Sequence, residues 1–457
     1  MKPYHQTADV DLYQGDCRAV MAGLPERHFQ LCCTSPPFFG LRSYLPADHP
    51  DKHLELGSET SPDEFVAALL EVFGGKDNPV GVWRVLRDDG CLFCDLGDSY
   101  NSAASGQNGQ TGTLDGGKPC GGQGTTAGRR KLVAGLKPKD LCGTPWRLAL
   151  ALQAAGWYWR DTICYQKASP MPGSQRDRCT SSWEPVLMMC KKPVYYWNTE
   201  GAKEPGAEPD RQRYEKIGGK NGAEVRHGEQ GMVGASPTRI PRNVWRLDWD
   251  ADDIVALLNY MNVGPGDGNI WKLSSEGFAG CHFATFPKSL PAKIITAATS
   301  ERGACPSCGK CWQRVVDSER VATRPGLNTK CNAKTWDKNS IGTIPGRLDA
   351  NVIGNRDPQR HTTTTTTLGW RPGCTCGDEP VPCRILDPFG GVGTSALAAM
   401  GLQRRCTLIE LSEKYCEMIV ARLRAGLYAT SAKRDDAPGQ LTMFSEAEAD
   451  SEHNGNQ

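Results

Sequence analysis

The chain has no run of about 18 apolar residues, so no membrane-spanning helix and no membrane partner are expected. Its first residues, Met1-Lys2-Pro3-Tyr4-His5, lack the apolar core of a secretion signal. It also lacks an excess of one charge: 53 Lys and Arg stand against 52 Asp and Glu, a formal net charge of +1. A nucleic-acid packager would be far more basic, so any nucleic-acid contact must come from local basic patches.

Cysteine is plentiful, with 20 in 457 residues. A chain of this length without a secretion signal is not a disulfide scaffold. A reducing, cytoplasmic setting is expected, with most thiols free and buried and a minority available to a metal. Glycine (51) and proline (31) imply much loop, while 39% hydrophobic residues allow a sizeable core. At roughly 100–200 residues per domain, the length suggests two or three domains, or one large domain with insertions.

Strand and helix patterns alternate, which predicts an α/β fold. Val10–Tyr13 reads as a strand, Ala19–Leu24 as a short helix and Phe29–Thr34 as a buried strand that stops at Ser35-Pro36-Pro37. Ser61 and Pro62 open a helix that carries Phe65, Leu69, Leu70 and Val72 at helical spacing. Asp88-Asp89-Gly90 reads as a turn before the strand Cys91–Leu96. A helix over Pro145–Ala155 precedes strands over Trp157–Gln166 and Glu184–Met189. Order returns at Asn243–Leu247 and in a helix over Ala292–Ser300. The strand Ile385–Asp387, the helix Ser395–Gly401, the strand Arg405–Glu410 and the helix Ser412–Leu427 complete the pattern. Residues 99–131, poor in large apolar side chains, are expected to form a mobile loop, and 431–457 a disordered tail.

Near the far end, Asp387-Pro388-Phe389-Gly390-Gly391-Val392-Gly393-Thr394 follows a strand and opens a helix. Gly391 and Gly393 let the backbone turn sharply and approach a ligand. The next strand ends at Glu410, about 20 residues on, where an acid bonds ribose hydroxyls in nucleotide-binding α/β units. The turn has no lysine, which excludes a Walker phosphate loop. Ala396 is allowed at the last position of a dinucleotide fingerprint, so spacing alone leaves a nicotinamide oxidoreductase open. The acid-Pro-aromatic-Gly order of Asp387 to Gly390 resembles the cofactor turn of amino methyltransferases, which cradles the methionine part of S-adenosylmethionine.

Near the start, Thr34-Ser35-Pro36-Pro37-Phe38 closes a strand. Consecutive prolines fix the backbone and free its carbonyls from ladder pairing. If the Ser35 hydroxyl and the Pro36 carbonyl accept both hydrogens of an exocyclic amine, the nitrogen is pushed towards tetrahedral geometry and its lone pair can meet a sulfonium methyl. Phe38 can stack on a base swung out of the duplex.

Together these segments resemble the amino DNA methyltransferases of the β arrangement, in which the catalytic segment precedes the cofactor segment. The resemblance implies a Rossmann-like class I methyltransferase with a mostly parallel doubly wound sheet, a target-recognition region and a Cys-bearing insertion. Leu12–Cys17 resembles the family segment whose acid contacts the cofactor adenine, a role that falls to Asp16. By the same analogy Phe283, Thr285 and Pro287 lie near the methionine end of the cofactor. In this family Ser-Pro-Pro-aromatic goes with cytosine N4, and Asp- or Asn-Pro-Pro-Tyr with adenine N6. Ser35 therefore favours cytosine N4, with adenine N6 as the alternative. The implied partner is double-stranded DNA, which places the protein at the nucleoid. A homodimer is left open and no restriction nuclease partner is named.

The implied organisation is 1–198 for the catalytic half, 199–281 for target recognition, 282–303 with 385–430 for the cofactor half, and 304–384 for the insertion. Basic residues such as Arg129, Arg130, Lys131, Lys203, Arg211, Arg239 and Arg242 are candidates to hold phosphates. In the insertion, Cys305, Cys308, Cys374 and Cys376 suit a tetrahedral structural zinc, with Cys311 and Cys383 as alternates and free thiols as the other reading.

Overall fold

Phe29–Thr34 is buried at every position, as befits a strand covered by helices on both faces. It lies at the centre of a nine-stranded sheet. The computed structural model describes residues 2–41, 43–101, 133, 135–167, 177–205, 238–239, 243–247, 286–322 and 361–434. Its strands are β1 His5–Gln6, β2 Val10–Gln14, β3 Phe29–Thr34, β4 Leu86–Asp95, β5 Tyr158–Lys167, β6 Trp183–Cys190, β7 Glu204–Pro205, β8 Thr238–Arg239, β9 Val244–Leu247, β10 Gln313–Ala322, β11 His361–Arg371, β12 Arg384–Asp387 and β13 Arg405–Glu410. The helices are α1 Cys17–Ala22, α2 Pro62–Phe73, α3 Gly81–Val85, α4 Thr144–Ala154, α5 Thr199–Ala202, α6 Ser289–Ala298, α7 Thr394–Gly401 and α8 Glu413–Arg434.

The sheet order is β1-β2-β13-β12-β3-β4-β6-β5-β9. From β2 to β4 every neighbouring pair is parallel, and β6 runs against both β4 and β5. This is the mostly parallel, doubly wound sheet expected of a class I methyltransferase. Alternate strand residues face two cores. Cys32, Leu92, Cys94, Leu386 and Ile409 pack with α1 to α4, while Leu31, Cys33, Phe93, Ile385 and Leu408 pack with α6 to α8. From β12 the chain winds outward to β13, and from β3 it winds the other way to β4. The order reverses between β12 and β3, and α/β sheets bind ligands at such a switch point, outside the carboxyl ends of the strands.

Local chemistry fixes several elements. Ser61 accepts from the Glu64 N–H at 3.1 Å, and Pro62 occupies the first turn of α2. Asp98 ties the start of α4 down, accepting from the N–H groups of Gly143 and Thr144 at 2.9 and 3.1 Å. Burial pushes the thiols of Cys32, Cys33, Cys94 and Cys406 well up, so they stay protonated and behave as small apolar groups.

Some elements depart from the sequence reading. Asp88-Asp89-Gly90 is not a free turn. It lies within β4, where the register against β3 jumps between Phe29–Leu86 and Leu31–Cys91, so the extra residues bow out of the ladder. Helix α1 begins at Cys17, because Asp16 caps it, and α6 begins at Ser289. Residues 99–101 are loop but tied to the fold: Asn101 is buried and its amide bonds the Leu136 carbonyl at 2.9 Å. Residues 102–132, including Arg129, Arg130 and Lys131, lie outside the described residues. The expected tail is helical to Arg434, and the rest of it lies outside the described residues. Within the expected recognition region, β9 is paired to β5 as part of the main sheet. The Thr362–Thr367 run forms part of β11, paired antiparallel to β10, consistent with the strand preference of β-branched residues.

Candidate active site

Five parallel strands end at one edge of the sheet. β2 leads into Gly15-Asp16, β13 ends in Glu410, β12 in Asp387, β3 in Thr34 just before Ser35, and β4 in Asp95. The first four border a cleft of about 1060 Å³, open mouth included. Gly391, Val392 and Thr394 form its floor, with Ile409, Leu411 and Phe286 as apolar wall. Tyr44 and Tyr415 complete the rim, their ring centres 6.1 Å apart and nearly edge to face.

The two motifs, far apart in sequence, meet directly. The Thr34 hydroxyl donates to Asp387 Oδ1 at 2.7 Å. The same oxygen accepts from the Phe389 N–H at 3.1 Å, and Oδ2 accepts from the Ser395 hydroxyl at 2.6 Å. Asp387 thus holds the proline loop, the glycine turn and α7 together. Burial pushes its carboxyl up to about 6, against the pull of those hydrogen bonds.

Glu410 accepts from the Gly391 N–H at 2.8 Å and the Ser412 N–H at 2.9 Å, one on each oxygen. Each oxygen keeps a lone pair for a ligand hydroxyl. Burial, helped by the Asp387 charge, pushes this carboxyl up to about 7. Asp16 caps α1 through the Arg18 N–H at 3.0 Å and pairs with the Arg18 guanidinium, while lining the cleft.

Gly393 has φ +79, and a Cβ there would come within 3.1 Å of Ile419. An L-residue in that conformation costs about 1–2 kcal/mol. Gly393→Ala is therefore expected to lower the melting temperature by several degrees and to weaken ligand binding in the cleft. Gly401→Ala, with no atom within 4 Å of the new methyl, is the control and should be neutral in both thermal melting and ligand titration.

The proline loop divides its residues. Ser35 and Pro37 line the cleft, whereas Pro36 is buried. Phe38 is half-buried, with its ring against the backbone of Gly97. Pro388 and Phe389 line the cleft, but Pro287 is buried outside it, and the neighbouring Phe286 takes the wall position. Phe283 and Thr285 lie outside the described residues. Lys203, a candidate phosphate contact, is instead paired with Glu200 at 2.7 Å and donates to the Thr365 hydroxyl at 2.9 Å. Arg211 and Arg242 lie outside the described residues, and of Arg239 only its place in β8 is described. Cys305, Cys308, Cys374 and Cys376 do come together, whereas Cys311 and Cys383 form a separate buried pair 3.8 Å apart.

Besides the cleft residues Tyr44, Phe286 and Tyr415, sequence reasoning missed Asp95 and Arg422. Asp95 is 4% exposed, and its Oδ1 has no hydrogen-bond partner among the described residues. Burial and the Glu184 charge drive its carboxyl well above the carboxylate range, while Lys167 and a hydrogen bond from Ser35 oppose the rise. Its signal was a lone acid in the apolar run Cys91-Leu92-Phe93-Cys94-Asp95-Leu96. Arg422, buried on α8, donates to the Val392 carbonyl and props the glycine turn from behind. No spacing rule singled it out among the charges of that helix.

A family model described as DNA methylase (N6_N4_Mtase) matches residues 29–305. The Type II methyltransferase M.SmaI of Serratia marcescens is 31% identical over 289 residues, covering 63% of this chain and 75% of that protein. The Type II methyltransferase M.Cfr9I of Citrobacter freundii is 32% identical over 288 residues, covering 63% and 72%. Among solved structures, PvuII DNA methyltransferase (cytosine-N4-specific) aligns over 92% of this chain and 88% of that one, at 13% identity and a TM-score of 0.46.

Proposed function

This chain belongs to the N6/N4 DNA methylase family, and we propose that within it the protein transfers a methyl group from S-adenosylmethionine to the N4 amine of cytosine in duplex DNA. The observation that carries the reading is the Thr34–Asp387 hydrogen bond, which sets the amine-gripping loop beside the glycine turn at the switch point of the sheet.

The cleft fits the methyl donor by its chemistry. Glu410, with a free lone pair on each oxygen, would take the ribose hydroxyls, and Asp16 at the end of β2 would take the adenine amine. Tyr44, Ile409 and Leu411 offer apolar surface to the base, and the backbone at Asp387–Gly391 would hold the methionine end. When bound, the donor supplies an electrophilic methyl on a sulfonium.

The remaining work falls to the proline loop. The Ser35 hydroxyl donates a hydrogen bond to Asp95 and keeps its proton, so that its oxygen, at the cleft, would still have lone pairs to accept from a base amine. That oxygen and the Pro36 carbonyl accept the two amine hydrogens, so the nitrogen lone pair turns towards the methyl group. Asp95 is a positioning residue, because it fixes the Ser35 hydroxyl rather than touching the base. Phe38, firm against Gly97, offers its ring to the extruded cytosine. Catalysis here is alignment and fixed dipoles.

Ser35, at the position where the family pattern for adenine N6 has Asp or Asn, supports cytosine over adenine. The relatives named as Type II methyltransferases support site-specific modification of DNA. Nucleoside digestion of methylated DNA, followed by liquid chromatography and mass spectrometry, tests the choice of base. N4-methylcytosine is expected, and N6-methyladenine alone would overturn the cytosine assignment.

A further inference from the structure

Cys305 and Cys308 precede β10, and Cys374 and Cys376 follow β11. The two strands pair antiparallel with Gln313 opposite Arg371, so the outer ends of the hairpin meet. There the four sulfurs lie within 4.8 Å of one another, and none is in a disulfide. Tetrahedral zinc with bonds of about 2.3 Å needs sulfurs about 3.8 Å apart, within reach of small side-chain rotations.

The backbone around the first pair has the shape of a metal knuckle. Gly309 turns it at φ +69, its N–H bonds the Cys305 carbonyl at 2.8 Å, and the Cys305 N–H bonds the Lys310 carbonyl at 2.9 Å.

We propose that this quartet is a structural zinc site that clamps the β10–β11 hairpin onto the amino-terminal edge of the main sheet. The docking contacts are specific. Arg87 of β4 donates to the Cys308 carbonyl. Gln30 of β3 donates to the Gly309 carbonyl at 2.9 Å and accepts from the Arg384 N–H, at the start of β12, at 2.6 Å. The knuckle thus bonds the second residues of β3 and β4, and Gln30 carries the contact on to the first residue of β12, the three strands whose other ends lead to Ser35, Asp95 and Asp387. At about 3.3 Å per residue, the run from Gln30 to Thr34 alone sets the metal roughly 13 Å from the cleft edge. Four thiolates leave no open coordination position, so the ion holds the fold and takes no part in methyl transfer.

The inference is independent of the proposed reaction, because metal content is read without catalysis. Elemental mass spectrometry of the full-length protein, purified without added metal, is expected to find one zinc per chain. Exchange into cobalt should give the intense sulfur-to-cobalt charge-transfer and visible bands of a tetrahedral tetrathiolate. Cys308→Ser with Cys376→Ser should reduce zinc to a trace and lower the melting temperature. Cys311→Ser, outside the quartet, should retain the full equivalent. Arg87→Met should keep the zinc yet melt earlier, because the docking contact and the Arg87–Asp89 pair are lost while all four thiols remain. Wild-type protein without stoichiometric zinc, or with iron in its place, would overturn the proposal, as would full zinc retention in the double variant. If the double variant does not fold, wild-type metal content and the cobalt spectrum decide the matter alone.

Discussion

Replacing Ser35 with alanine is expected to lower the single-turnover rate roughly 10²-fold while leaving the Kd for S-adenosylmethionine within about twofold. The asymmetry follows from the layout of the cleft. The residues proposed to hold the cofactor are Asp16, Glu410 and the Asp387 turn, and none depends on the Ser35 hydroxyl. What the substitution removes is one of two acceptors for the target amine, felt only as the lone pair turns towards the methyl group. It also takes from buried Asp95 its Ser35 contact. Asp95→Asn, which keeps the shape and can still hydrogen-bond, should fall between wild type and Ser35→Ala in rate and change the pH profile of turnover. Quenched-flow methylation beside calorimetric titration measures both quantities. Equal turnover in Ser35→Ala would remove Ser35 from the mechanism.

The second large effect is expected at Glu410. Its carboxyl is pushed up to about 7, so below that pH the cofactor-free protein holds a proton there. Ribose hydroxyls donate best to the ionised form, so binding must displace that proton. The apparent Kd should then rise about tenfold between pH 8 and pH 6, and flatten above pH 8. Glu410→Gln should weaken binding at pH 8 by about 10- to 10²-fold, since a hydrogen bond to a charged group is worth about 1.5–3 kcal/mol, and should abolish the slope. The sign for folding is opposite. A carboxyl with a raised folded pKa contributes stability that is present below its unfolded value, near 4.5, and is lost as pH rises through about 7. Without cofactor, Glu410 therefore favours the folded state more at pH 5 than at pH 8. A wild-type Kd independent of pH from 6 to 8 would exclude an ionised Glu410 as the ribose acceptor.

The parts of this architecture that were legible in the sequence are those set by short-range chemistry. The buried strands β3 and β12, the Ser61–Pro62 helix start and the glycine turn each follow from a few consecutive residues. Their order suggested the family before their contact was visible. What sequence could not supply was set by residues distant in the chain. Asp95 reads as one more strand position until β4 is placed beside β3, where its carboxyl reaches Ser35. Phe286 rather than Pro287 faces the cleft, because direction depends on how the chain enters α6. Tyr44 lies in a loop without periodicity, and its meaning emerges only opposite Tyr415. The Thr362–Thr367 run is specified as a strand by its partner β10.

The central claim is that the proline loop and the glycine turn form one amino-methylating site on DNA. Its most direct test is transfer of tritium from methyl-labelled S-adenosylmethionine to unmethylated duplex DNA of high sequence complexity, with wild type and Ser35→Ala side by side. The account predicts label fixed in DNA by the wild type and released as N4-methylcytosine, with roughly a hundredth of the rate in the variant. No label on any DNA, from protein shown to bind the cofactor, would contradict it.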